Sequence, residues 1–92
     1  MKIRWFVTDI MREIKQDFQN ALDATRCGNE IKRARHYNEG RGLFHGLYTA
    51  LLDTDFYTAK LFYRWYFREL ENFLNAETQA RREYMDQVLQ ER

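Results

Sequence analysis

The sequence predicts an all-α fold: a three-helix, up-down-up bundle with a long third helix. Three observations carry this prediction. The 92 residues contain no proline, few β-branched residues occur after the first eight positions, and apolar residues recur at the i, i+3, i+4, i+7 spacing of a helix face. All four glycines fall between residues 28 and 46, so the helix ends have to be located from capping residues.

The first helix is expected over 4–27, within a single domain spanning 1–92. Val7, Ile10, Met11, Ile14, Phe18, Ala21, Leu22 and Thr25 share one face of it. The opening KIRWFV alternates as a strand would, but a lone strand has no pairing partner, and a helix starting near Ile3 or capped by Thr8 is preferred. Gly28 suits the position just past the helix end, where a left-handed backbone is needed, and Arg26 is placed to meet the last carbonyls.

Asn29 suits the N-cap of a second helix over 30–52, with Glu30 in its first turn. Tyr37, Gly40, Phe44, Leu47, Tyr48 and Leu51 form its apolar stripe. A different row advances by fours along the same helix: Ala34, Asn38, Gly42, Gly46 and Ala50. A helix interior glycine costs about 1 kcal/mol relative to alanine, so this smooth ridge is expected to dock another helix at close range, with Gly42, Gly46 and Ala50 at its centre.

The run Asp53-Thr54-Asp55 gathers capping residues and starts a third helix over 55–90. At 1.5 Å per residue it would reach roughly 50 Å. Its first half is apolar all round. Phe56, Ala59, Tyr63, Tyr66, Phe67, Leu70, Phe73 and Leu74 lie on one face, and Leu61, Phe62 and Trp65 on another. After Asn75 the chain turns polar, keeping a thin stripe of Tyr84, Met85, Val88 and Leu89.

Composition sets the functional frame. The chain is 45% hydrophobic and 16% aromatic, more bulky apolar surface than three helices of this size can hide, so a homo-oligomer, a dimer in the simplest case, or a partner surface is expected. Fifteen Lys and Arg against fourteen Asp and Glu give a net charge of +1, with no overall pull toward nucleic acid or anionic membrane. One cysteine, Cys27, allows no intramolecular disulfide and fits a reducing, cytoplasmic setting. The opening MKIRWFVTDIMREIK lacks the apolar run of a signal peptide, and no window approaches a membrane span, so no membrane is expected.

Chemistry-bearing patterns are sparse. His36 and His45 are nine residues apart, on opposite sides of one helix, and no Glu-x-x-His or His-Glu-x-x-His pattern occurs, so neither metal nor other cofactor is expected. The chain has no serine at all, Cys27 sits at a helix C-terminus where the dipole disfavours a thiolate, and Gly40-Arg41-Gly42 lacks the strand and Gly-Lys-Ser/Thr of a phosphate loop. No enzymatic activity is expected. Lys32, Arg33, Arg35 and Arg41 are the residues that could track a phosphate backbone.

Two charge rows stand out. Asp9, Glu13 and Asp17 step by four along the first helix, and Lys60, Arg64 and Arg68 do so along the third, at a constant offset of 51. Like charges at i, i+4 repel, so the rows are expected to face each other across parallel helices one and three, the alternative being that one of them docks a partner. Tyr57, Phe62, Trp65 and Tyr66, with Arg64 and Arg68 at the rim, have the make-up of an interface anchor. In length, helicity and aromatic content the chain resembles small phage- or mobile-element-encoded proteins, including anti-CRISPR and other anti-defence proteins that cover a host protein's surface. The resulting expectation is a non-catalytic interaction protein of the host cytoplasm that binds a protein partner. The alternative is a nucleic-acid or nucleotide binder using the basic face of the second helix.

Overall fold

The computed structural model describes residues 3–91 and is all-helical over them, with three helices joined by two tight turns: α1 (Ile3–Arg26), α2 (Glu30–Thr54) and α3 (Phe56–Gln90). Each boundary has a local cause. Gly28 adopts a left-handed φ of 73°. Its N–H donates to the Thr25 carbonyl at 3.0 Å and the Asn29 N–H to the Ala24 carbonyl at 2.9 Å, closing α1 in a Schellman motif. The Asn29 side chain accepts the Lys32 N–H at 3.0 Å, which caps α2. Asp55 caps α3 by accepting the Thr58 N–H at 3.1 Å and its hydroxyl at 2.6 Å. Asp55 also carries the last turn of α2, its N–H donating to the Leu51 carbonyl at 2.8 Å.

Helices α1 and α3 run parallel. Lys15 meets Glu69, Thr25 meets Glu77, and the Phe18 and Phe73 rings stack at 5.0 Å. The up-down-up order is thus observed, with partners 52 to 55 residues apart in these three contacts. The core takes Val7, Ile14, Phe18, Ala21 and Leu22 from α1, Phe44, Leu47 and Leu51 from α2, and Ala59, Phe62, Tyr66, Phe73 and Ala80 from α3. The expected faces of α1 and α2 are the buried ones. On α3 the core draws on both apolar faces, taking Phe62 from one and Ala59, Tyr66 and Phe73 from the other. The Phe44 and Tyr66 rings stack at 3.9 Å and only 13° from parallel.

Gly40 is the close-approach glycine. A Cβ there would meet the Asp17 Cβ at 3.3 Å and the Phe18 ring at 3.4 Å, so its absence lets α1 lie tight against α2. Nothing lies within 4 Å of the same position at Gly42 or Gly46, and Ala50 is exposed. Among the described residues, therefore, the small-residue ridge docks no helix. It faces outward because the apolar stripe through Gly40, Phe44 and Leu47 has claimed the inner side of α2.

The molecule is a rod, with principal extents of 58 × 19 × 17 Å and a Cα radius of gyration of 15.7 Å. No helix among the described residues is long and apolar enough to cross a membrane.

Candidate functional site

The apolar residues of α3 that the core does not use gather on its outer side, mostly in its first half. Phe56, Tyr57, Leu61, Tyr63 and Phe67 are all exposed, Tyr57 by 72%, whereas Phe62 and Tyr66 are each only 2% exposed. Of the six residues expected to bind a partner, then, Tyr57, Arg64 and Arg68 lie at the surface and Trp65 is half-buried against the Phe62 ring at 6.0 Å. Phe62 and Tyr66 are corrected to core residues. An all-round apolar helix has no period that marks which residues turn inward, and the docking of α1 and α2 decides it.

The basic row sits in the middle of this surface. At about 100° per residue, Lys60, Arg64 and Arg68 lie opposite the buried row of Ala59, Phe62, Tyr66 and Phe73. Tyr57 and Leu61 flank them on the α1 side, bordering a cavity of about 420 Å³ with Val7 and Met11. Tyr63 and Phe67 flank them on the α2 side, against Phe44, with Tyr63 also touching Tyr48. Glu71, one turn beyond Arg68, ends the row. None of the three cations has an ion-pair partner among the described residues.

This overturns the expected pairing of the two charge rows. Asp9 pairs with Arg12 at 3.2 Å on its own helix, and Asp17 turns toward His36 of α2. Glu13 and Asp17 line a cleft with Glu39, Gly42 and Leu43 of α2. The acidic row therefore borders α2 while the basic row faces away from the bundle. A matched offset fixes relative height along two parallel helices but leaves their rotation free. Among the described residues, the ion pair that does cross from α1 to α3 is Lys15 with Glu69, at 3.9 Å.

The basic face expected on α2 is also divided. Arg33 is withdrawn from it: its Nε and one terminal nitrogen donate to the two Glu77 oxygens at 2.6 and 2.7 Å, and the guanidinium lies 4.7 Å from the Tyr37 ring centroid. Glu77 is 5% exposed and also accepts the Thr25 hydroxyl at 3.0 Å. Burial alone would push the Glu77 carboxyl up. The hydrogen bonds from Arg33 and Thr25, with the charges of Arg33 and Arg81, outweigh it and hold the group below the usual glutamate range. Arg81 extends the clasp by a two-pronged bond to Glu30, at 2.8 and 3.0 Å. Lys32, Arg35 and Arg41 remain exposed.

A third cluster was not foreseen. Asp17 of α1 and His36 and Glu39 of α2 place one ligand atom each within 4.8 Å of one another, the only such set of three that converges among the described residues. The sequence signal was the His36–Glu39 spacing of three, which puts both on one face of α2; the Asp17 that completes the set comes from a different helix. Burial pushes the Asp17 carboxyl up, as does the nearby Glu39, with His36 opposing. His45, by contrast, is exposed and borders the Phe44 ring. Comparison with known protein families, with curated proteins and with solved structures finds no match.

Proposed function

We propose that this chain is a non-catalytic binding protein whose outer α3 face engages an acidic surface of another protein. The observation that supports the reading is the row Lys60, Arg64 and Arg68, unpaired within the described chain and set between exposed aromatics. Arginine beside tyrosine and phenylalanine combines the residue types that carry most binding energy at protein interfaces. The row also accounts for a locally unfavourable feature, since like charges at i, i+4 cost helix stability that an acidic partner would return. Such a face suits a protein that acts stoichiometrically by covering its partner, the mode of the anti-defence proteins it resembles in composition.

The test uses the full chain as bait in lysate, beside Arg64→Glu/Arg68→Glu and Tyr57→Ala. A protein retained by the parent chain, lost by both variants and released as salt rises supports the reading. Retention that is equal on all three baits contradicts it. A nucleic-acid gel shift abolished by substituting Lys32, Arg35 and Arg41 would transfer the function to the α2 face. Light scattering that gives a dimer for the parent chain and a monomer for Arg64→Glu/Arg68→Glu would assign the α3 face to self-association.

A further inference from the structure

The groove between α1 and α2 holds a set of donors that the α3 face does not use. His36 Nδ1 is buried and has no hydrogen-bond partner among the described residues, while the imidazole as a whole is 14% exposed. A buried ring nitrogen left unbonded forfeits the hydrogen bond it would make to water, so it calls for an occupant. The nearest polar atoms are an Asp17 carboxylate oxygen at 3.7 Å and a Glu39 carboxylate oxygen at 3.6 Å. Both lie beyond hydrogen-bond range and both carry negative charge. The three donor atoms, one from each residue, all lie within 4.8 Å of one another.

We propose that Asp17, His36 and Glu39 form a binding site for one divalent transition-metal ion of the zinc type. Ligand bonds of about 2.0–2.2 Å in a tetrahedral site put neighbouring donor atoms about 3.3–3.6 Å apart. The observed 3.6 and 3.7 Å are within a few tenths of that edge. One imidazole nitrogen among carboxylate oxygens selects a zinc-like ion over calcium or magnesium, which take oxygen sets. Two carboxylates neutralise the ion's charge, and the neutral imidazole that binds through Nδ1 carries its proton on Nε2. Gly40 favours the site, since a Cβ there would stand 3.3 Å from the Asp17 Cβ and displace it by a few tenths of an ångström. Three protein ligands leave one position for water or an incoming group, on the side of the cleft that Asp17 and Glu39 share with Glu13 and Gln16.

The experiment is a calorimetric titration of the chelator-treated full chain with zinc chloride, paired with thermal unfolding followed by circular dichroism. The parent chain should bind one zinc and unfold at a higher temperature with it. His36→Gln and Glu39→Gln should each weaken binding by ~10-fold or more and lose the thermal shift. Glu39 is exposed, so Glu39→Gln keeps the fold and reads the site alone. Cys27→Ala and His45→Gln should bind zinc as the parent does. Absence of saturable one-to-one binding overturns the proposal, as does binding that survives in His36→Gln and Glu39→Gln or disappears in Cys27→Ala or His45→Gln.

Discussion

Where α1 turns into α2, the chain buries a carboxylate: Glu77 is 5% exposed, held by Arg33 and Thr25, with Arg81 reaching on to Glu30 and the Tyr84 ring covering Gly28. Where α2 turns into α3, at the other end of the rod, the chain exposes Trp5 by 72%, Phe6 by 56% and Phe56 by 61%. A composition-based view would reverse these two ends, sealing the aromatic one and wetting the charged one. The difference teaches that burial follows partners rather than polarity. A buried charge is tolerated when each of its oxygens is hydrogen-bonded, whereas an aromatic ring stays outside once three helices have no inner side left to offer it. The polar end is the buried one and the apolar end is the exposed one.

Substitutions can break this contrast, beginning with the core beneath the exposed end. Phe62→Ala should cost about 3–5 kcal/mol, since Phe62 is 2% exposed and stacks among Phe44 and Trp65. Against a typical total of about 5–15 kcal/mol, urea denaturation should find the variant partly unfolded even without denaturant. At the buried end, Glu77→Ala strands the Arg33 guanidinium and should cost about 3 kcal/mol, measured as a lower urea midpoint at neutral pH.

Acid should weaken the same end. The folded-state pKa of Glu77 lies below its ordinary value near 4.5, so its contribution is complete above that value and is lost as pH falls through the folded one. Asp17 works the opposite way, its raised pKa favouring the folded state as it takes up a proton. The stability gap between the parent chain and Glu77→Ala should therefore narrow from pH 7 toward pH 3. A gap that stays constant would remove the ionised carboxylate from the account.

Smaller effects sharpen the comparison. Gly46→Ala should raise stability by about 1 kcal/mol, because the position is helical and open. A loss of stability or of assembly would instead reveal a close neighbour on the ridge. Tyr57→Ala should change the unfolding free energy from urea denaturation by no more than about 0.5 kcal/mol, although Tyr57 lies only five residues from Phe62. Its effect is expected in partner binding alone.

Much of the fold was legible because its signals are local. Gly28, Asn29 and Asp55 mark the helix ends by backbone and capping chemistry that involves only near neighbours, and the apolar faces of α1 and α2 follow a single clear period. The candidate sites were less legible because they depend on helix rotation. Nothing near Arg33 in sequence announces Glu77, 44 residues away, and nothing near His36 announces Asp17. Along α3 the aromatic residues are too many for periodicity to separate the 2% exposed Tyr66 from the 72% exposed Tyr57. The glycines posed the same problem, since spacing singled out Gly42 and Gly46 while the helix contact fell at Gly40.

The rod shape affects how the oligomeric state must be measured. A compact domain of 92 residues has a radius of gyration of about 12 Å, against 15.7 Å for this chain. An elongated monomer diffuses slowly for its mass and leaves a gel-filtration column early, at the volume of a larger globular protein. Elution volume alone would report a dimer whether or not one exists. Methods that weigh the particle, such as light scattering or sedimentation equilibrium, separate a long monomer from a true pair.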